Sequence, residues 1–402
     1  MKEREYIHRG GPGTRRRGPP WIFWVLLALA LIVAATFLIV KLTENHDSSP
    51  TPDSPDASAS SQLSDPSSLP SQDSQPAEAA EPTPQPSQNA PERTAPQSPP
   101  TDLETFIAAD GTGYEYYKFS EEAANQYITA VSTAGSSMGG QVYCILVPTS
   151  MDILLPESYL VENQVDSSDQ QKALDRYIYP SINAMNPAVK TVPTFDPLAA
   201  HSGENIYFRT DRSWTQLGAY YVYAQFCAAK GIEPTPLDQF TKKEYEGFQG
   251  SYYAASGDYE MGSDKVEAYL SPAQTELHFT DSEGIEYDGW NVISDGEGYS
   301  SELLNLIFNG GDQPYKVLEN HDLSDGSACV VVQDSLGCYF IPFLTAHYQY
   351  VYAIDYRYYE GSAASLAAEH NASDVILLTS ITVTGSTERV DSFQSVLGLG
   401  NE

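Results

Sequence analysis

Positive charge is scarce in this sequence. Its 402 residues hold 21 lysines and arginines against 54 aspartates and glutamates, which gives a formal net charge of −33 at pH 7. Residues 1–20 carry six of the bases and two acids, so the rest of the chain is more acidic still. Because a polyanion repels the phosphate backbone, this balance excludes nucleic acid as a partner.

Cysteine and histidine are also few, at four and seven residues. The sequence contains no Cys-x-x-Cys pair and no His-rich spacing, so it predicts no metal site, and nothing in it calls for a cofactor. Cys144 and Cys329 lie within apolar runs. That position favours buried thiols in strands over a disulfide framework.

Charge is absent from residues 21–40, WIFWVLLALALIVAATFLIV. Such a run, at a rise of about 1.5 Å per residue, spans roughly the 30 Å hydrocarbon core of a bilayer. A cleaved signal peptide is the alternative, but its apolar region is shorter and no small-residue cleavage site follows here. We therefore expect a single-pass anchor at residues 21–41 in the cell membrane. The arginines before it predict a basic cytoplasmic tail, residues 1–20, and an extracytoplasmic remainder.

Two regions follow the predicted anchor. Residues 44–101 are rich in Ser, Pro, Asp, Gln and Ala and have almost no aromatic or β-branched residues, which predicts a disordered linker. Residues 102–402 have the length and composition of one large folded domain or a closely joined pair.

Short continuous apolar runs in this domain predict buried parallel strands. Helix-like segments separate the last three runs, which indicates βαβ units, an α/β fold and a mostly parallel sheet covered on both faces. Sites in such sheets lie at the carboxyl ends of the strands. The predicted strands are 141–147, 328–333, 350–355 and 374–379.

The strongest local signal is VVVQDSLGCYFIPFL, in which a buried strand ends at Gln333 and a helix begins after Ser335. A serine in such a turn exposes its hydroxyl at the rim of the sheet, beside backbone N–H groups that can hold an oxyanion. It is then a candidate nucleophile. In the alternative interpretation, Asp334 and Ser335 only cap the following helix.

A second polar segment, Asp211-Arg212-Ser213-Trp214, precedes another predicted helix. It is either a polar site, with Arg212 binding an anion such as a uronate or a phosphate, or a cap in which Asp211 or Ser213 begins the helix. The spacing predicts that Gly231 ends this helix. Its predicted buried face is Trp214, Leu217, Tyr221, Ala224 and Ala228.

Four blocks together resemble the bacterial DHHW protein family: YFRTDRSWTQLGAYYVYAQF, GFQGSYYAASGD, NGGDQPYKVLEN and VVVQDSLGCYFIPFLTAHYQYVYAIDYRYY. These proteins are membrane-anchored relatives of the SGNH hydrolase-like domains of alginate O-acetyltransferases. The resemblance covers nearly all of residues 102–402 and implies a three-layer SGNH-like domain with serine-dependent O-acetyltransferase or esterase chemistry.

The family motif reads Arg-Thr-Asp-His-His-Trp-Thr where this chain has residues 209–215. The resemblance implies a carboxylate at Asp211, a histidine base two residues later and a nucleophile at Ser335. Here Arg212 and Ser213 replace both histidines, and Ser213 holds the position of the base. Neither side chain can accept the serine proton near neutral pH. The family pattern also implies an asparagine at the oxyanion, for which Asn309 and Asp312 are the nearest matches.

Two functions follow from this departure. The first is a catalytically degenerate domain that binds a cell-envelope glycan or a partner protein. The alternative is an active O-acyltransferase or acetylesterase on envelope polysaccharide that uses Ser335 and Asp211 with a relocated base, for which His201 is the candidate. Whether the chain is an enzyme stays open at this stage. The predicted binding residues are Arg209, Arg212, Trp214, Asp334 and Arg357.

Overall fold

The computed structural model describes residues 93–398. The predicted tail, the predicted anchor and most of the predicted linker lie outside these residues. Within them, no helix is both long enough and apolar enough to cross a membrane. In chain order the strands are β1 Thr101–Asp102, β2 Phe106–Ala109, β3 Thr112–Glu115, β4 Gln141–Val147, β5 Lys190–Thr191, β6 Thr241–Phe248, β7 Asp264–Leu270, β8 Thr275–Thr280, β9 Glu286–Trp290, β10 Tyr315–Asn320, β11 Ala328–Gln333, β12 Tyr350–Asp355 and β13 Asp374–Ser380.

Helices alternate with these strands through most of the domain. They are α1 Glu121–Ser137, α2 Ser150–Leu154, α3 Glu157–Glu162, α4 Gln170–Lys172, α5 Tyr179–Met185, α6 Phe195–Ala200, α7 Gln216–Lys230, α8 Ser251–Ala255, α9 Gly337–Leu344, α10 Ala363–Glu369 and α11 Thr387–Leu397. A π-helical turn, Ala173–Ile178, joins α4 to α5, and 3₁₀ turns occupy Leu237–Gln239, Ser301–Ile307 and Ile381–Gly385.

An eight-stranded mixed sheet organises the domain, in the order β5-β4-β13-β11-β12-β10-β8-β9. The first five strands are parallel, and β10, β8 and β9 continue the sheet antiparallel. All six residues of β11 are buried, as expected for a strand covered on both faces. The predicted strands 141–147, 328–333 and 350–355 are confirmed with their bounds, and the fourth extends one residue further, to Ser380. The predicted α/β class is likewise confirmed.

The start of the folded domain needs a correction. Residues 93–101, which the composition assigned to the linker, contact the domain: the Gln97 N–H donates to Asp110 Oδ2 over 2.6 Å, and the Tyr159 hydroxyl donates to the Ser98 carbonyl over 2.8 Å. Thr101 also pairs with β2. A polar, Pro-rich segment is ordered here because its backbone groups find partners on an existing surface, which composition alone does not reveal.

Helix α7 begins later than predicted. Its N-cap is Thr215, whose hydroxyl accepts the Gly218 N–H over 3.2 Å, so neither Asp211 nor Ser213 caps it. It ends at Gly231 as predicted, with φ at +80°. Trp214 lies before the helix in a β-bridge with Tyr207, so a face counted from Trp214 has the wrong phase. The buried apolar side chains of α7 are Leu217, Ala219, Val222, Tyr223, Phe226 and Cys227.

Candidate active site

A polar cavity of about 380 Å³ opens where the carboxyl ends of four parallel strands meet. Each of β4, β11, β12 and β13 contributes its last residue or the residues that follow it. Glu115 at the end of β3 and the first turns of α11 complete the wall. The lining residues are Glu115, Pro148, Thr149, Arg212, Ser213, Asp334, Ser335, Leu336, Tyr356, Arg357, Ser380, Thr382, Ser386, Glu388, Arg389 and Ser392.

The turn that carries Ser335 is held by the carboxylate before it. Asp334 Oδ1 accepts the Leu336 N–H over 3.0 Å, and its Oδ2 accepts the Ser380 N–H over 2.8 Å. Asp334 therefore ties the end of β11 to the end of β13. The Ser335 N–H has no acceptor within residues 93–398. This free N–H, next to an accessible hydroxyl, is one donor that could stabilise an oxyanion formed on attack by that hydroxyl.

Asp312, rather than Asn309, faces the serine. The Ser335 hydroxyl donates to Asp312 Oδ2 over 2.6 Å, and the same oxygen accepts Arg357 Nη2 over 2.9 Å. Arg357 also donates from Nε to Asp355 Oδ1 over 2.8 Å. The candidate nucleophile therefore contacts a carboxylate that is already paired with an arginine.

Asn309 is buried, and its side chain bonds with groups inside the protein. Its Nδ2 donates to the Cys338 carbonyl over 2.7 Å, and its Oδ1 accepts the buried Lys316 Nζ over 2.6 Å. Lys316 Nζ also donates to the Gly311 carbonyl over 2.7 Å. The loop thus has its polar groups satisfied inside the protein, and Asn309 presents no free amide to the cavity.

The segment that resembles the family motif is tied to the serine turn. Trp214 is fully buried, and its Nε1–H donates to the Leu336 carbonyl over 2.9 Å. Asp211 accepts the Ser213 N–H at Oδ1 over 2.9 Å and the Ser251 N–H at Oδ2 over 2.7 Å. Asp211 and Trp214 therefore hold the segment in place without lining the cavity, whereas Ser213 lines it.

Ser213 is buried, and Tyr339 is the first aromatic residue after Ser335 in the chain. Burial raises the pKa of Tyr339 far above its ordinary value, and Asp211 and Asp312 add to that effect. Tyr339 therefore stays protonated and cannot act as a base. Its ring packs against Phe208 and Phe308, with ring centroids 5.8 and 4.7 Å away.

Three arginines line the cavity, and two of them belong to the predicted binding set. Arg212 and Arg357 line it, and Arg389 from α11 is the third. Arg209 does not line it. Its Nε donates to Asp264 Oδ1 over 3.3 Å, so that arginine braces a neighbouring hairpin strand.

Two acids in the cavity wall are strongly affected by burial. The pKa of Asp334 is raised to about 6 by desolvation, which the Ser380 N–H and Arg357 only partly oppose. Burial also raises the pKa of Glu115, and Arg212, whose Nη1 lies 3.3 Å from Glu115 Oε1, counteracts it. Burial thus favours the protonated form of both carboxyls.

No histidine of residues 93–398 lines the cavity. The His201 ring stacks on Tyr221 with centroids 3.5 Å apart, and its Nδ1 lies 2.7 Å from Glu204 Oε1. His201 is therefore engaged outside the cavity wall and does not supply a base there. Within the same residues, no group of three or more His, Cys, Asp or Glu side chains is placed to hold a metal ion.

Glu115 and Arg389 are two of the cavity residues that the sequence did not predict. Glu115 ends a short strand far from both motifs, and Arg389 lies in the first turn of a helix near the C-terminus. Nothing in their local sequence marks them.

These features define a mixed α/β domain with a serine turn at the carboxyl edge of its parallel strands. A protein-family model for the DHHW protein matches residues 97–354. The chain belongs to the DHHW protein family. A search of curated proteins gives no match.

Solved structures show the same fold. A DHHW family protein from Eubacterium siraeum is similar at 22% identity and a TM-score of 0.61, over 71% of this chain and 94% of that chain. PatB1 from Bacillus cereus is similar at 15% identity and a TM-score of 0.55, over 71% and 98%. PatB1 has also been solved with a sulfonyl adduct, and that structure matches at 16% identity and a TM-score of 0.55, over 71% and 97%.

Proposed function

We propose that this DHHW-family chain is a single-pass membrane protein of the bacterial cell envelope, with a three-layer SGNH-like domain that binds a glycan or a partner protein and has lost efficient catalysis. In this proposal residues 21–41 hold the chain in the membrane and the N-terminus is cytoplasmic. The cavity at Ser335 is the binding site.

The contact between Ser335 and Asp312 carries the proposal. In a serine hydrolase a neutral imidazole takes the proton of the serine hydroxyl, since the ordinary imidazole pKa of about 6.5 suits neutral pH. The group within reach of Ser335 is instead a carboxylate that also pairs with Arg357. A carboxylate is a weaker base than imidazole. The hydroxyl is thus suited to hydrogen bonding with a ligand more than to attack.

The chemistry of the wall supports a hydroxyl-rich ligand. Seven serine and threonine side chains line the cavity, together with three arginines. Such groups exchange hydrogen bonds with sugar hydroxyls, and the arginines can pair with a carboxylate on a sugar. The hydroxyl-bearing residues are Thr149, Ser213, Ser335, Ser380, Thr382, Ser386 and Ser392.

Two observations favour the alternative, an active O-acyltransferase or acetylesterase. The free N–H of Ser335 and the retained Asp211 are parts that such an enzyme needs. For this function Asp312 would have to act as the base. The two candidates therefore differ in whether Ser335 turns over an ester.

Turnover of 4-nitrophenyl acetate by the full-length chain separates the two candidates. We expect wild type and Ser335→Ala to give the same rate, equal to the rate without protein. Because PatB1 has been solved with a sulfonyl adduct, intact mass after treatment with phenylmethylsulfonyl fluoride is a second measurement, and we expect no adduct at Ser335. Turnover that Ser335→Ala abolishes would replace the binding proposal with the enzyme.

Ligand binding is tested on an array of neutral and uronate-containing oligosaccharides. Arg389→Ala removes one charged donor from the cavity and should weaken retention by about ten-fold or more. The matched control is Lys190→Ala, which removes an exposed charge on β5, away from the cavity wall. Equal retention by the two variants would contradict a ligand site in this cavity.

A further inference from the structure

We propose that Asp312 is a second, independent cause of the loss of catalysis. Its carboxylate binds the Ser335 hydroxyl and so lies close to the position at which an acyl oxyanion would need a hydrogen-bond donor. This inference rests on the proposed function. It predicts that a histidine at position 213 is not enough to restore an efficient esterase, and that Asp312 must also become neutral.

Asp312 is held against the serine from two sides. Asn309, Gly310 and Gly311 lead into it with φ values of +42°, +73° and +73°, a left-handed run that fixes the path of the loop. Arg357 holds the carboxylate from the other side over 2.9 Å. The 2.6 Å contact with Ser335 is therefore a built feature of the site.

The charge of Asp312 opposes acylation. In that step Ser335 Oγ forms a bond to the ester carbonyl carbon, and the carbonyl π electrons move onto its oxygen. The Oγ proton goes to a base at position 213 and then to the departing alcohol, as the carbonyl re-forms and the bond to the alcohol breaks. The new oxyanion lies one carbon away from Oγ, so a carboxylate in contact with Oγ repels it. An asparagine in the same place would be neutral and could donate an N–H.

Position 213 is suited to a histidine that would act as the base. Ser213 lines the cavity, and Asp211 lies beside it with both carboxylate oxygens in backbone hydrogen bonds. Each of those oxygens has a second lone pair, so Asp211 can still orient an imidazole. The family-type carboxylate is thus in place, and the two side chains to change are Ser213 and Asp312.

The experiment measures 4-nitrophenyl acetate turnover by full-length wild type, Ser213→His, Asp312→Asn and the double variant. We expect wild type and Asp312→Asn at background. The double variant should exceed Ser213→His by about 10- to 100-fold, the size expected for a gained oxyanion donor and a lost repulsive charge. Ser335→Ala in the double variant should remove that gain. The matched control is Ser213→His with Asp258→Asn, the same charge change at an exposed residue outside the cavity wall, which should equal Ser213→His alone.

Equal rates for Ser213→His and the double variant, including both at background, would overturn the inference. A lower rate in the double variant would also overturn it, since Asp312 would then assist turnover. Ser335-dependent turnover by wild type would instead refute the proposed function. If Ser213→His does not fold, Ser213→Gly with added imidazole supplies the base, and Asp312→Asn should raise that rescued rate by the same factor.

Discussion

Replacing Trp214 tests whether the segment that contains it stabilises the serine turn. Its Nε1–H donates to the Leu336 carbonyl over 2.9 Å, and that oxygen otherwise keeps a longer bond of 3.3 Å from the Tyr339 N–H. In Trp214→Phe the smaller ring retains part of the packing but has no donor. A lost buried hydrogen bond costs about 0.5–1.5 kcal/mol, and the space left adds about 1–2 kcal/mol. We therefore expect the free energy of unfolding to fall by about 2–3 kcal/mol.

Urea unfolding followed by circular dichroism measures this loss, and amide hydrogen exchange locates it. Peptides over residues 333–340 should exchange faster in Trp214→Phe, while peptides over 141–147 should not change. Trp290→Phe is the matched control, because Trp290 is 41% exposed and its loss should cost less than about 0.5 kcal/mol. Equal losses in the two variants, or unchanged exchange over 333–340, would refute the idea that Trp214 supports the serine turn.

Asp334, in the serine turn, and Gly250, beside Asp211, give two more predictions. The pKa of Asp334 is raised to about 6, so the folded state binds the proton of this carboxyl more tightly than the unfolded state does. The stability that this group contributes is therefore present below about pH 4 and is lost as the pH rises to about 6. Compared with Asp334→Asn, wild type should lose about 3 kcal/mol between pH 4 and pH 7 in urea titrations, and a difference that does not vary with pH would contradict this. In Gly250→Ala the new Cβ would lie 2.3 Å from Asp211 Cβ, and we expect a loss of about 2 kcal/mol or more in thermal unfolding. Gly203→Ala, whose Cβ meets no atom within 4 Å, should change stability by less than about 0.5 kcal/mol, and equal effects would show that Asp211 can move.

The sheet could be predicted from the sequence because its central strands are continuous apolar runs. A strand buried on both faces needs apolar side chains at every position, and this pattern has few competing explanations at that length. Residues 141–147, 328–333 and 350–355 were therefore bounded correctly. The position of the cavity at their carboxyl ends followed from the parallel arrangement, without knowledge of any side-chain contact.

The partners within the cavity could not be predicted, because they depend on three-dimensional packing. Asp312 contacts Ser335 through a loop whose left-handed backbone directs it there, and the choice between Asn309 and Asp312 needed that geometry. Arg209 and Arg212 are close in sequence, yet Arg209 pairs with a hairpin strand and Arg212 with the end of β3. Sequence spacing brings such residues into one region, and only packing decides which of them share a cavity.

The pattern of retained and replaced residues in the motif has a structural explanation. Thr210 donates to Asp264 Oδ2 over 2.6 Å, Asp211 accepts two backbone N–H groups, Trp214 holds the serine turn and Thr215 caps α7. Each of these matches the family motif, and each would cost stability if replaced. Arg212 and Ser213 depart from the motif, and both line the cavity. Under the proposed function the site needs no base, so the two histidines can be replaced without loss of the fold, while the rest of the motif stays because the fold depends on it.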